Sequence, residues 1–178
     1  MSISGSVVPR LVRNGKLRKG EAKPPERQTK ILLAIDASKC SEAATQAIVH
    51  RIKAQDAEVH VFTVVDLLDH FPEEQLDSKN SPKLNELRLA RLHIAAELVE
   101  RAAQLLRHAG FKASVGVAEG NPTARIIEEA EQWKADLIVV GSHGRRRFER
   151  ALMGSVSEGV ARYAPCSVEV VRTRQQRP

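Results

Sequence analysis

The 178-residue sequence has little cysteine, few aromatic residues and no long apolar segment. Its two cysteines, Cys40 and Cys166, form no Cys-x-x-Cys pair and lie far along the chain from any paired histidines, so they indicate neither a disulfide framework nor a zinc site. No run approaches the ~20 apolar residues that a membrane-spanning helix needs. The sequence therefore predicts a cytoplasmic protein that is not an integral membrane protein, with enough apolar residues for one compact core.

Two familiar catalytic motifs are missing as well. There is no Gly-x4-Gly-Lys-Ser/Thr segment, so the phosphate-binding lysine and the Mg²⁺-binding hydroxyl of a P-loop are absent in that arrangement. Gly141-Ser142-His143-Gly144 is not the Gly-x-Ser-x-Gly elbow of serine hydrolases, and the adjacent side chains of Ser142 and His143 are not expected to face each other. The sequence indicates no catalytic residue and no dedicated metal ligand.

The net charge of +6 is concentrated at the amino terminus. Residues 1–30 contain eight Lys/Arg and two Glu, whereas the rest of the chain has equal numbers of positive and negative side chains. Because this segment is rich in Gly, Pro and Lys and lacks apolar periodicity, residues 1–29 are predicted to form a flexible basic arm. The arm has no aromatic residue that could stack on bases, so nucleic acid is not the expected partner. Residues 174–178 are predicted to be a short tail.

Apolar runs and helical patterns alternate from residue 31 onward. Predicted strands cover 31–35, 59–65, 112–117, 136–140 and 166–171, and predicted helices cover 38–51, 82–109, 121–133 and 155–163. Five such strands separated by helices require parallel pairing with right-handed crossovers. The predicted fold class is α/β, a doubly wound five-stranded parallel sheet with helices on both faces. The polar, proline-bearing segment 66–81 is predicted to cross the surface.

Two of the helices carry more specific expectations. The long helix opens with Ser81-Pro82 and ends before Gly110. In the short helix, Gly159 is expected to cost about 1 kcal/mol relative to alanine. The predicted apolar stripe of the long helix, which should face the core, consists of Leu84, Leu87, Ile94, Leu98, Ala102 and Leu105.

Residues at the ends of the first and fourth strands suggest a ligand site, because doubly wound sheets bind ligands beyond the carboxyl ends of their strands. Asp36 follows the first strand, and Gly141 and Gly144 follow the fourth. Without Cβ atoms, the two glycines can adopt positive φ and turn backbone N–H groups toward an anion. Gly154-Ser155 precedes a helix, whose N-terminus favours phosphate. The alternative from the residues alone is an acidic helix cap and unrelated loop glycines.

The segment "GSHGRRRFERALMGS" fits, without a gap, the G-x2-G-x9-G-[S/T] pattern of the universal stress protein family. The following "GSVSEGVARYAPCSVEVVR" is similar to the usual ending of that family, "ILLAIDAS" resembles its opening strand and aspartate, and "VHVFTVVD" resembles its second strand. The resemblance covers roughly residues 29–173, and it defines a predicted domain over 30–173. It departs from many relatives at Arg145-Arg146-Arg147, which is a more charged run.

This resemblance implies the strand order 3-2-1-4-5 of the adenine-nucleotide alpha hydrolase-like fold, with the ends of strands one and four side by side. It also implies an ATP site. Asp36 and Val64 would lie at the nucleoside, Gly141 near the ribose, and Gly144, Gly154, Ser155 and Val156 around the phosphates. Ala34 and Val140 complete the predicted site, in which many contacts come from backbone groups. Mg²⁺ or Mn²⁺ would accompany the phosphates, with Asp36 as a residue that helps position the metal.

The function implied by the resemblance is that of an ATP-binding stress-response module acting as a homodimer through its last strand, on a regulatory protein that the sequence does not identify. Binding state rather than turnover would be its output, with at most weak ATP hydrolysis or autophosphorylation. Two alternatives remain open. One is a structural or partner-binding dimer of the same fold with no nucleotide, and the other is a slow ATPase.

Overall fold

The computed structural model describes residues 27–66, 82–144 and 153–173. The predictions for most of the basic arm, for nearly all of segment 66–81, for the arginine run at 145–147 and for the tail at 174–178 lie outside these residues. Among the described helices, none has the length and apolarity that crossing a bilayer requires.

Five parallel strands form one sheet in the order β3-β2-β1-β4-β5. The strands are β1 (Thr29–Ala34), β2 (Ala57–Val65), β3 (Lys112–Glu119), β4 (Leu137–Gly141) and β5 (Ser167–Val171). The helices in the described residues are α1 (Lys39–Arg51), α2 (Pro82–His108), α3 (Pro122–Trp133) and α4 (Ser155–Tyr163), with one 3-10 turn at Ala54–Asp56. The predicted doubly wound class and strand order are confirmed.

Local signals place the helix ends close to where the sequence predicted them. Ser38 caps α1 by accepting a hydrogen bond from the Ser41 N–H, and Asn121 caps α3 with Pro122 at its first position. Gly110 follows α2 with a φ of +92°, a left-handed conformation that suits glycine. Strand β1 begins two residues earlier than predicted because Thr29 already pairs in register with Ala57.

The sheet has a separate apolar cluster on each face, as its helical cover requires. The first cluster lies beneath α1 and α2 and includes Ile31, Leu33, Ile48, Val59, Val61, Val99 and Leu106. The second cluster lies beneath α3 and α4 and includes Leu32, Ala34, Phe62, Ile126, Ala130, Ile138, Val140 and Val160. Adjacent residues of one strand serve opposite clusters because strand side chains alternate between faces.

The predicted core-facing stripe of α2 is wrong. Leu87, Ile94 and Leu105 are exposed by 43%, 61% and 39%, and only Leu98 and Ala102 of the predicted set pack against the first cluster. The buried face lies about a quarter turn away and consists of Ala95, Val99, Ala103 and Leu106. Two of these four residues are alanines, which lets the helix lie close to β2 and β3. Leu87, Ile94 and Leu105 lie outside this buried face.

Candidate functional site

The ends of β1 and β4 meet at the carboxyl edge of the sheet, as the ligand-site prediction requires. Ala34, the last residue of β1, is in register with Val140 of β4. Asp36 lies two residues after Ala34, and Gly141 follows Val140 directly as the last residue of β4. The strand order changes direction here, since β1 continues outward to β2 on one side and β4 to β5 on the other. We call this region, with the loops that leave β1 and β4 and the first turn of α4, the carboxyl-edge site.

Asp36 packs against the glycine loop. Its Oδ1 accepts a hydrogen bond from the Ser38 N–H at 3.1 Å, and its Oδ2 lies 2.6 Å from the point that a Cβ on Gly144 would occupy. The intervening Ala37 has a φ of +63°, which is strained for a residue with a Cβ. A side chain at 144 would therefore displace the Asp36 carboxylate, and the two predicted site residues are neighbours in space.

A second contact fixes these two loops to each other. The Ser38 hydroxyl donates to the backbone carbonyl of His143 at 3.1 Å while also capping α1. Sequence reasoning identified Ser38 only as a helix cap. The signal for its second role is weak, because a hydroxyl that accepts from a helix N–H still has a proton to donate to a partner from any distant segment.

Gly141 has a packing role. A Cβ at this position would lie 2.8 Å from both the carbonyl carbon and the Cβ of Cys40, so glycine lets the end of β4 approach the first turn of α1. Gly141 and Gly144 do not use the positive φ that glycine allows, since the described glycines with left-handed φ are Gly110 and Gly120. Close approach, rather than an unusual backbone conformation, requires glycine in this loop.

The start of α4 returns to the end of β4. The Gly154 N–H donates to the Ser142 carbonyl at 2.8 Å, so this amide is occupied by the protein's own backbone. No side chain among the described residues caps α4. The N–H groups of its first turn, at Ser155 and Val156, have no acceptor within the helix. Together with the helix dipole, they are the groups of α4 that suit an anion.

The other four predicted site residues are apolar, and all of them belong to or pack against the second apolar cluster. Ala34 and Val140 are buried members of the second apolar cluster, and Val64 and Val156 are partly buried against it. Val64 lies on β2 beside Ala118 of β3. Their side chains pack the face beneath α3 and α4, so any contact with a ligand would come chiefly from their backbone groups.

Residues 28–172 match the model of the universal stress protein family. The chain belongs to the universal stress protein family. It is 33% identical over 147 residues to a protein of Staphylococcus aureus strain USA300 assigned to the universal stress proteins, covering 82% of this chain and 84% of that one.

Solved universal stress proteins share the fold. UspA from Lactobacillus plantarum superposes with a TM-score of 0.70 at 29% identity, covering 82% of this chain and 99% of that chain. A universal stress protein family member from Arabidopsis thaliana, solved with AMP bound, superposes with a TM-score of 0.52 at 20% identity, covering 82% of this chain and 92% of that one.

Ser142 and His143 contact one another, contrary to expectation. The Ser142 Oγ lies 3.1 Å from His143 Nδ1 and donates to the Cys40 Sγ at 3.7 Å. Ser142 is only 1% exposed, so its hydroxyl cannot reach a substrate. Burial acts to raise the pKa of the Cys40 thiol, but hydrogen bonds with Ser142 and Thr173 outweigh it and leave the pKa below its usual value. In this member of the family the pair supports the loop.

A shallow depression lies at the opposite, amino-terminal edge of the sheet. It is lined by Arg27, Gln28, Lys30, Glu58 and Lys134. None of the predicted site residues is among them, and Arg27 is already paired with Asp136 at 2.7 Å. This depression has the positive charge that a phosphate would need, but it lacks the helix N-terminus found at the carboxyl-edge site.

Proposed function

We propose that this universal stress protein binds ATP at the carboxyl-edge site and acts as a nucleotide-dependent stress-response regulator. The bound state, rather than turnover, is its output. The residues assigned to the site are those predicted from the sequence, with backbone groups supplying many of the contacts: Ala34, Asp36, Val64, Val140, Gly141, Gly144, Gly154, Ser155 and Val156.

One observation carries this proposal: three segments far apart in sequence converge on the same edge. The Asp36 carboxylate lies against Gly144, and the start of α4 is hydrogen-bonded to the loop after β4. This arrangement offers a carboxylate for hydroxyl groups at one end and uncapped helix N–H groups for phosphates at the other. The AMP in the Arabidopsis relative supports an adenine nucleotide as the ligand class.

The donor set fits a metal only as a companion of the phosphates. Among the described residues, no cluster of His, Cys, Asp and Glu could hold an ion by itself. Mg²⁺ commonly binds through one or two carboxylates plus substrate phosphates. Asp36 would be the carboxylate in such a site, and Mg²⁺ or Mn²⁺ would neutralise phosphate charge there.

The assembly we propose is a homodimer in the cytoplasm that signals through a regulatory protein. Within the described residues, strand β5 lies at the end of the sheet and pairs with β4 alone. Its valines, Val168, Val170 and Val171, supply apolar side chains beside an edge that a second copy would pair with.

A charge placed in the first turn of α4 tests the phosphate position. Ser155→Asp adds a carboxylate next to the proposed phosphate seat, where it also suits the helix dipole and should leave the fold intact or slightly more stable. ATP affinity, measured by isothermal titration of the full chain, should fall at least about tenfold. This corresponds to roughly 1.4 kcal/mol of repulsion and competition.

The matched control is Ala124→Asp, which adds the same charge at an exposed first-turn position of α3. It should leave ATP affinity within about twofold of the parent chain. Equal losses in the two variants would refute the placement of the phosphates at α4. An absence of ATP binding by the unmodified chain would favour the structural or partner-binding alternative, and steady phosphate release under excess ATP would favour the slow ATPase.

A further inference from the structure

A buried imidazole joins α3 to the sheet. His60 lies on β2, is 8% exposed, and points to the face that α3 covers. Its Nδ1 lies 2.7 Å from the Ser114 hydroxyl of β3, and its Nε2 lies 3.1 Å from Oε1 of Glu129 on α3. The Nε2 contact lacks the alignment of a hydrogen bond, so this nitrogen remains unsatisfied among the described residues.

The surroundings of His60 are closely packed. A Cβ on Gly116 of β3 would lie 2.8 Å from His60 Nε2, so a glycine is needed to make room for the ring. The indole of Trp133, at the end of α3, lies 5.3 Å from the imidazole between ring centroids, and the ring of Phe62 lies 6.0 Å away on β2. Protonation of His60 therefore adds a charge inside a packed aromatic and apolar contact.

Several charged groups act on the imidazole. Glu129 faces it from α3 and Glu58 from β2. On β1, the Lys30 ammonium lies 5.0 Å from the Trp133 ring centroid. On β3, Lys112 is in register with Glu58. Burial lowers the pKa of His60, and Glu129 and Glu58 oppose that shift only in part. The stabilising effect of the neutral ring is complete above the ordinary histidine pKa of about 6.5 and is lost as pH falls toward the lower folded-state value.

The helix that His60 touches is linked to the proposed nucleotide site. Thr123, at the start of α3, lies so close to Gly159 of α4 that a Cβ on Gly159 would come within 2.7 Å of its Cγ2. Phe62, Val64 and Val156 all belong to or pack against the second apolar cluster. Movement of α3 away from the sheet would thus disturb the cluster on which the first turn of α4 rests.

We propose that neutral His60, buried between β3 and the Trp133 end of α3, is an acid-sensitive latch that holds α3 on the sheet and thereby maintains the nucleotide affinity of the carboxyl-edge site. This inference rests on the proposed ATP function. At neutral pH the uncharged ring keeps α3 docked, and at acid pH the imidazolium loosens it and weakens binding through α4. By reciprocity, bound nucleotide disfavours protonation of His60.

The single tryptophan provides a direct reading of the latch. Trp133 is the only tryptophan in the chain, and an adjacent imidazolium quenches indole fluorescence. Fluorescence of the full chain should therefore show a transition with a midpoint below pH 6.5. Glu129→Gln, which removes the carboxylate that favours the imidazolium, should move that midpoint to lower pH. His93→Gln, which alters an exposed histidine paired with Glu97, should leave it unchanged.

Isothermal titration with ATP at pH 7.5 and at a pH just below the fluorescence midpoint tests the link to the site. On acidification, the parent chain should lose at least about fivefold more ATP affinity than His60→Gln does. About fivefold is the lower end of the couplings measured between binding sites. Protonation of the ATP phosphates is common to both proteins, so the difference between their affinity losses reports His60. If His60→Gln fails to fold, Glu129→Gln serves as the test variant. The pH at which Glu129→Gln loses ATP affinity should then move to lower pH by the same amount as its fluorescence midpoint.

Equal affinity losses in the parent chain and the variant would overturn the coupling. A fluorescence curve without any transition before acid unfolding would overturn the latch itself. So would a midpoint that is the same in Glu129→Gln as in the parent chain. A chain that binds no ATP at any pH would instead refute the proposed function. In that case, the fluorescence midpoint and the amide exchange of residues 122–133 relative to α1 would still decide whether His60 holds the helix.

Discussion

At Gly159, helix propensity and side-chain packing predict opposite effects of a substitution on stability. In the interior of α4, replacing glycine with alanine should stabilise the protein by about 1 kcal/mol if only propensity matters. The structure predicts the opposite sign. A Cβ at Gly159 would lie 2.7 Å from Cγ2 and 3.1 Å from Oγ1 of Thr123 on α3, and overpacking of this kind typically costs about 1–3 kcal/mol. We expect Gly159→Ala to destabilise the protein by about 1 kcal/mol overall.

A double-mutant cycle isolates the contact. In a Thr123→Ala background the obstructing atoms are gone, so Gly159→Ala should regain its propensity advantage of about 1 kcal/mol. The coupling energy between the two sites should then be about 2 kcal/mol, well beyond the deviations of a few tenths found for independent positions. Urea unfolding of the four proteins, with equal m-values as a check on two-state behaviour, measures it. Stabilisation of about 1 kcal/mol by Gly159→Ala in both backgrounds would refute the packing argument.

Two further predictions concern the carboxyl-edge site. Ala37→Gly should stabilise the protein by about 0.5–1 kcal/mol in urea unfolding because it relieves the left-handed φ of +63°, and a loss of stability would contradict the strain. Gly144→Ala should lower ATP affinity about tenfold, the cost of displacing one charge-assisted contact, because its Cβ would push against the Asp36 carboxylate. In an Asp36→Ala background the same change should have little further effect, and an undiminished loss would show that Gly144 acts without Asp36.

The features that follow from local chemistry could be predicted from the sequence. The apolar run after residue 30 predicts a strand covered on both faces, and Ser38 and Asn121 mark the starts of α1 and α3 because their side chains bond nearby N–H groups. The buried face of α2 could not be predicted from residue size. Ala95, Ala103 and Leu106 are buried while Leu87, Ile94 and Leu105 are exposed, and only the tertiary packing decides between the two faces.

In the carboxyl-edge site, too, some features could be predicted from the sequence and others could not. Sequence spacing and family resemblance indicated Asp36 and Gly144, and the structure places them next to each other. The reasons for the other glycines were not predictable, since Gly141 is fixed by Cys40 and Gly154 by the Ser142 carbonyl, which are contacts between remote segments. Sequence reasoning explained the loop glycines by the approach of a ligand, whereas in the structure Gly141 and Gly154 lie close to other segments of the protein.

The central claim is that a nucleotide phosphate binds at the first turn of α4, and amide chemical shifts test it most directly. In a ¹H–¹⁵N spectrum of the full chain titrated with ATP, the largest shifts should occur at Ser155, Val156 and Gly144, because N–H groups that contact phosphate change their environment most. Shifts centred on Arg27, Lys30 and Lys134 at the opposite edge, or no shifts with saturating ATP, would contradict it.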